Sequence, residues 1–240
     1  MTVTPYKYSS ESKKSQVSRM FDGISGRYDL LNHLMSFGID RSWRKKAIAE
    51  LRSESPVNIL DIATGTADLA IEGMRLNPAK IFGIDISPEM LAIGRNKIRR
   101  KGFSDRIELL EGDSENLIFD DNKFDAITVA FGVRNFENLE KGLQEMKRVL
   151  KPGGKVIILE FSQPGNSFFR KLYTWYSSRI TPRIGKLISR DKAAYTYLHE
   201  SVKAFPSGTD FTKILQSLGF RETSFRPLTF GVVTLYSARK

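Results

Sequence analysis

The segment 57-VNILDIATGT-66, with Asp85 downstream of it, decides how the chain is read. An apolar run of Ile59, Leu60, Ile62 and Ala63 ends at a turn of small residues, Thr64-Gly65-Thr66-Ala67. A helix-compatible stretch follows. That order describes a buried strand feeding a nucleotide-binding turn. A second apolar run, 80–86, closes on Asp85. An acid at the tip of the second strand is where an α/β fold holds a ribose by its two hydroxyls.

Outward from this stretch the pattern alternates. Strands are expected over 57–62, 80–86, 106–111, 124–131 and 155–161, and helices over 67–76, 88–101 and 137–150. Ser87-Pro88-Glu89 supplies an N-cap, a proline at the first helical position and an acid in the first turn. Pro152-Gly153-Gly154 marks a turn between helix and strand. Strands alternating with helices give an α/β, doubly wound, mostly parallel sheet. Closing strands over 221–225 and 231–238 make it seven-stranded. Their connection holds Pro227 and ends at Gly231, which leaves a hairpin loop and a bulge at Gly231 both open.

A single domain is expected for 240 residues. Residues 1–15 read as a mobile arm and 16–53 as a helical cover of two or three helices, broken by Gly23, Gly26 and Gly38. Such a cover can close the open carboxyl edge of a nucleotide-binding sheet. The cofactor-binding core spans 57–162, a helical insertion 164–205, and a closing helix and strands 206–240. In the insertion Phe168, Phe169, Leu172, Trp175, Tyr176 and Ile180 share a helical face, with Arg170, Lys171 and Arg179 beside it. Core packing of an inserted cover and a lipid-facing lid are the two readings of that face.

The chain has no cysteine, so disulfides, thiolate metal sites and cysteine nucleophiles are excluded. With His33 and His199 as the only histidines, a histidine-rich metal site is not expected, and no metal is assigned. There is no membrane-spanning apolar run and no signal-peptide core at the start, so a cytoplasmic protein is expected. The net charge is +11, and from residue 164 onward thirteen Lys/Arg face four Asp/Glu. Nucleic acid, an anionic membrane surface and a solvated basic face all fit such an excess.

The turn chooses among nucleotides. A dinucleotide fingerprint wants G-x-G-x-x-G, and only Gly65 stands there, between Ala63 and Ala67. A pyrophosphate needs those glycines, and the chain has no phosphate-binding G-x-x-x-x-G-K-[ST] either. S-adenosylmethionine, with a ribose, an adenine and a charged tail but no phosphate, fits better. Asp61 is placed to meet the tail's ammonium directly or through water, Gly65 and Thr66 to line the turn, and Asp85 to accept from both ribose hydroxyls. Asp113, after the third strand, is placed at the adenine amino group with Ser114 beside it.

The succession DIATGTADL, GIDIS, EGDSENLIFDDNKFDAIT and RVLKPGG resembles a class I S-adenosylmethionine-dependent methyltransferase with a Rossmann-like fold. Three further stretches are similar to the ubiquinone/menaquinone biosynthesis C-methyltransferase family: YDLLNHLMSFGIDRSW (28–43), FGVRNF (131–136) and RVLKPGGKVIILEFS (148–162). RITPRIGKLIS and YTYLHESVKAFP resemble that family's insertion. Leu31 and Asp40 depart from it, standing where the family usually has Met and His, and no role is assigned to Asp40. Ala130 stands where some relatives carry a hydroxyl.

The resemblance implies methyl transfer to a ring carbon of a prenylated quinol, with demethylmenaquinol favoured. A polyprenyl benzoquinol or another small molecule such as a sterol is the alternative. Arg134, which stays protonated, is expected to stabilise a phenolate or orient a water. Asn135 is expected to hold the other quinol oxygen, and Tyr28 to lie near the substrate. His33 and His199 read as structural, and Glu160 is left without a role. A substrate with an isoprenoid tail implies a peripheral contact with anionic membrane, which would give the basic, aromatic insertion its use. The position after strand four carries FGVRNF rather than the N-P-P-[YF] of a base-gripping enzyme, so no nucleic-acid partner is expected. Oligomeric state is not legible.

Overall fold

The computed structural model describes residues 3–166, 171 and 192–240. The aromatic positions Phe168, Phe169, Leu172, Trp175, Tyr176 and Ile180 of the expected lid lie outside them, as do Arg170 and Arg179. The strands are β1 (Asn58–Ile62), β2 (Lys80–Asp85), β3 (Ile107–Glu111), β4 (Phe124–Ala130), β5 (Leu150–Phe161), β6 (Arg221–Leu228) and β7 (Val233–Arg239). Helices are α1 (Lys13–Met35), α2 (Asp40–Ala49), α3 (Asp68–Gly73), α4 (Pro88–Arg100), α5 (Leu139–Val149), α6 (Lys192–Ala204) and α7 (Thr209–Ser217).

The seven strands run in the order β3-β2-β1-β4-β5-β7-β6. Neighbours from β3 to β5 are parallel, and β7 is antiparallel to both β5 and β6. The order reverses between β1 and β4, and ligands of open α/β sheets bind outside the strand ends at such a reversal. β1 is apolar because both its faces are covered. Leu60 and Ile62 join the core built with Leu143, Met146 and Phe211, while Ile59 joins the opposite core with Trp43, Leu51 and Leu91. Burying each such side chain contributes about 1.5–3 kcal/mol.

α4 begins as its sequence requires: Ser87 Oγ accepts from the Met90 N–H at 3.2 Å, with Pro88 at the first helical position. α1 starts at Lys13, three residues before the patterned segment, because Ser12 Oγ accepts from the Ser15 N–H at 3.2 Å. It runs unbroken through Gly23 and Gly26, contrary to the expected interruptions. Each glycine costs a helix about 1 kcal/mol, and tertiary pins offset this. Ser18 Oγ donates to the Ile86 carbonyl at 2.9 Å, and Asp22 Oδ1 accepts from Ser87 Oγ at 2.6 Å. α1 therefore lies over the carboxyl end of β2, as the expected cover should.

The closing helix expected within 206–240 is α7, and Gly208, at φ +63°, separates it from α6, which ends at Ala204. Between β6 and β7 the structure has a tight turn, Thr229–Gly231, with φ of +46°, +58° and +92°. The irregularity in that pair lies instead between Arg221 and Ser224, where Glu222 adopts φ +49°.

Candidate active site

The turn after β1 keeps three left-handed residues, Ala63 at φ +52°, Gly65 at +56° and Ala67 at +66°. The glycine-rich geometry thus survives although alanine fills two of the positions, at a cost of about 1–2 kcal/mol each. Close packing explains what the turn tolerates: a Cβ on Gly132 would meet the Ala63 Cβ at 2.5 Å. The Thr64 N–H donates to the Ile84 carbonyl at 2.9 Å, which ties the turn to β2.

Asp85 completes that tie. Its Oδ2 accepts from the Gly65 N–H at 2.8 Å and its Oδ1 from the Ser87 N–H at 2.9 Å. Burial pushes its carboxyl up to about 6, against the pull of those backbone N–H groups. Asp85, Gly65, Asp113, Ser114, Tyr28 and Asn135 line one cavity at this edge. Asp113 Oδ1 accepts from the Glu115 N–H at 2.9 Å, and its Oδ2 pairs with Lys14 of α1.

Asp61 and Thr66 do not line this cavity. Asp61 is 1% exposed and does not line the cavity; it accepts from Thr64 Oγ1 and Thr128 Oγ1, each at 2.6 Å. Burial pushes its carboxyl up to about 6 as well. An acid so buried needs its acceptors filled, and the two threonines flanking it fill them. Thr66, 2% exposed, also turns away: its Oγ1 donates to Asp29 Oδ1 at 2.6 Å and accepts from Lys97 Nζ at 2.8 Å. Lys97 further pairs with Asp29 at 2.7 Å and Asp68 at 2.6 Å, and Arg44 joins Asp68 at 3.2 Å and Asp40. α1, α2 and α4 are thereby joined to the turn by charged groups.

A second, larger cavity of about 260 Å³ adjoins the first, and Phe21, Tyr28 and Phe131 line both. Its wall is largely apolar, with Met20, Ile24, Leu31, Trp43 and Phe161. The polar groups entering it include Arg134, Tyr197, His199 and Asp40. Arg134 is no surface ion pair. Its Nη1 donates to Glu160 Oε1 at 2.7 Å and to the Phe131 carbonyl, with the two side chains 6% and 0% exposed. Its Nε is buried with no hydrogen-bond partner among the described residues. Burial raises the Glu160 carboxyl, and Arg134 opposes that rise. Asn135 Nδ2 donates to the Phe131 carbonyl at 3.3 Å, and its Oδ1 accepts from the Tyr197 hydroxyl at 3.1 Å.

Burial raises the Tyr28 hydroxyl, and it pushes the Tyr197 hydroxyl up to about 12. Both are therefore O–H donors at neutral pH. His199 is lowered by burial and by Lys203, so it is neutral there. His33 pairs with Asp40 at 3.1 Å and does not line the cavity. Among the described residues no cluster of three His, Cys, Asp or Glu could hold a metal. Sequence reasoning missed Lys14, Phe21 and Phe131. Only Phe131 carried a signal, its place in FGVRNF beside the named Arg134.

Comparison with known proteins decides the family. Residues 9–240 match the ubiE/COQ5 methyltransferase family. The chain belongs to that family. A demethylmenaquinone methyltransferase of Bacteroides fragilis is 49% identical over 235 residues, covering 97% of this chain and 96% of its own. The ubiquinone/menaquinone biosynthesis C-methyltransferase UbiE of Geobacter sulfurreducens is 43% identical over 240 residues, 99% of this chain and 93% of its own. Among solved structures, a SAM-dependent methyltransferase of Thermotoga maritima superposes with a TM-score of 0.63 at 18% identity, covering 93% of this chain and 99% of that one. At that identity the likeness concerns the fold, and it agrees with the expected doubly wound sheet. The FGVRNF and LEFS segments that carried the resemblance place Phe131 and Arg134 in the wall of the larger cavity and pair Glu160 with Arg134.

Proposed function

We propose that this chain methylates a ring carbon of demethylmenaquinol, using S-adenosylmethionine as methyl donor. The observation that carries this reading is the pair of adjoining cavities that share Phe21, Tyr28 and Phe131. One presents the carboxylate acceptors Asp85 and Asp113, which suit a nucleoside's hydroxyls and amino group; the other is large and apolar enough for a quinol ring and the start of its tail. The relatives' names supply the substrate class.

The residues present fit the cofactor. Asp85 faces the first cavity with acceptor capacity left over from its two backbone bonds, which suits a ribose. Asp113 and Ser114 stand at the adenine end, where Lys14 competes for Asp113. Gly65 offers backbone at the turn, while Asp61 and Thr66 hold that turn's shape from beneath and behind. S-adenosylmethionine supplies, when bound, a methyl group on a sulfonium that an electron-rich carbon can take.

The chain's own residues must then make the acceptor carbon electron-rich and hold it close. A quinol carbon gains nucleophilicity when a neighbouring hydroxyl loses its proton. Arg134 lines the larger cavity, where its guanidinium can stabilise an oxyanion. Tyr28, on the wall common to both cavities, keeps its proton and can donate to a quinol oxygen. Asn135 orients through Tyr197 at the same edge. The apolar walls exclude water, which strengthens these contacts.

The acceptor's isoprenoid tail resides in membrane. Among the described residues no helix is long and apolar enough to cross one. We therefore assign a peripheral encounter with an anionic bilayer, supported by the net charge of +11. Purified protein incubated with methyl-labelled cofactor, with demethylmenaquinol and a demethylated polyprenyl benzoquinol in separate reactions, tests the reading. Label in the naphthoquinone supports it. Label only in the benzoquinone moves the substrate to the ubiquinone series, and label in neither overturns it.

A further inference from the structure

α6 carries His199 into the wall of the larger cavity, two residues after the Tyr197 that donates to Asn135. Ala194 and Tyr197 of that helix pack on Val17 and Met20 of α1, which fixes α6 beside the cavity. The His199 imidazole is half-buried and has no hydrogen-bond partner among the described residues. A histidine kept for structure usually spends its ring nitrogens on partners. His199 has both free, and they share a cavity with Tyr28 and Arg134.

A quinol hydroxyl must give up its proton before the neighbouring ring carbon turns nucleophilic, and a group in the cavity must take it. Among the described residues the other ionisable groups are unsuited. Arg134 and Arg44 stay protonated. Burial raises the Tyr28 and Tyr197 hydroxyls, so both hold their protons. Asp40, 3% exposed, is already occupied: burial opposes its charge, but Ser36 Oγ at 2.8 Å, Arg44 and His33 together hold its carboxyl below the usual range. Glu160 is taken up by Arg134 and does not line the cavity. His199 is left. Burial and then Lys203 lower it against the pull of Glu200, which is itself paired with Lys7 at 3.0 Å. A neutral imidazole near pH 7 is a competent proton acceptor.

We propose that His199 is the general base of the methyl transfer, taking the proton of the acceptor's hydroxyl as the ring carbon attacks the methyl group. The role depends on the quinol reading of that cavity. The O–H bond breaks toward a ring nitrogen of His199, and its electron pair stays on the oxygen, where Arg134 stabilises it. The new C–C bond forms as the S–CH3 bond breaks, and that pair passes to sulfur, leaving a neutral thioether. The methylated carbon then sheds its hydrogen as a proton to water, and the oxygen regains a proton from the imidazolium. One proton is released overall, and His199 ends neutral.

The test is kcat of the full chain with a quinol acceptor from about pH 5 to about pH 9, at saturating S-adenosylmethionine so that titration of Asp85 is kept out of the readout. Wild-type kcat is expected to fall on the acid side as His199 gains a proton. His199→Gln is expected to lose kcat ~100-fold and to lose that acid limb. It keeps its melting temperature and its affinity for S-adenosylhomocysteine. His199→Ala is expected to recover turnover when imidazole is added. Lys203→Gln, outside the cavity wall, is expected to move the acid limb to higher pH, because it removes a charge that lowers His199. Wild-type kcat with an unchanged acid limb in His199→Gln overturns the inference and leaves the functional reading standing. A loss of kcat that keeps the limb and is not rescued by imidazole also overturns it, since packing alone would do that. A wild type that methylates no quinol overturns the functional reading, and the role of His199 falls with it.

Discussion

The Asp85 carboxylate accepts a hydrogen bond from the Gly65 N–H at 2.8 Å, so the acid that ends β2 also fixes the turn that ends β1. One residue both shapes the cofactor cavity and presents the charge that would hold a ribose. The burial that makes this possible raises its carboxyl to about 6.

A pH dependence follows. Between the unfolded value near 4 and about 6, the folded protein holds this proton more tightly than the unfolded chain does. Asp85 therefore contributes most to stability below pH 4, and that contribution is lost as pH rises through 6. Cofactor affinity runs the other way, because only the carboxylate accepts from both ribose hydroxyls. Calorimetric titration with S-adenosylhomocysteine is expected to show binding weakened ~10-fold at pH 5 relative to pH 7.5. Asp85→Asn is expected to bind weakly at both and to flatten the difference.

Arg134 cannot be removed alone without consequence, since Glu160 is fully buried beside it. Arg134→Ala strands that carboxylate and is expected to cost about 3–5 kcal/mol in chemical denaturation. Arg134→Met combined with Glu160→Gln removes both charges and is expected to restore most of the loss. The double variant separates the two roles. It should bind S-adenosylhomocysteine as the wild type does and show little methyl transfer. Wild-type turnover in it would show that Arg134 serves only as the partner of Glu160.

The turn after β1 and the segment after β4 meet at Gly132, where an added Cβ would lie 2.5 Å from the Ala63 Cβ. Gly132→Ala is expected to destabilise the protein, and Ala63→Gly to relieve the clash when combined with it. A double-mutant cycle by denaturation should give a coupling of about 1–3 kcal/mol. Additive single effects would place the clash elsewhere.

Lys97 joins Asp29 of α1 and Asp68 of α3 to Thr66 of the turn, at 2.7, 2.6 and 2.8 Å. Lys97→Met is expected to speed amide exchange in α1 around Tyr28 and to weaken cofactor binding, while exchange in β4 and β5 stays slow. Unchanged protection of α1 would mean that the pins at Ser18 and Asp22 suffice to hold the cover.

These relationships divide what the sequence discloses from what it hides. The strand–turn–acid succession at 57–66 and Asp85 was legible because hydrophobic period, turn residues and an N-cap at Ser87 all agree locally. Asp113, Ser114, Tyr28 and Asn135 were named from strand ends and family segments, and they do line the first cavity. The buried direction of the Asp61 and Thr66 side chains is not legible, because sequence position gives the strand end and the turn but not where a side chain points. Their true partners, Thr128 and Lys97, are far away in sequence. The Arg134–Glu160 pair was hidden for the same reason, since its two residues approach only when β5 lies beside β4. Gly23 and Gly26 misled because local propensity was overridden by contacts between α1 and the end of β2.

The most direct measurement is mass spectrometry of quinones after incubation of the purified protein with S-adenosylmethionine and demethylmenaquinol. Conversion to menaquinol is expected, with one methyl added per cofactor consumed, and Asp85→Ala is expected to abolish it. Unmethylated demethylmenaquinol after incubation with a folded, cofactor-binding wild type would contradict the assignment.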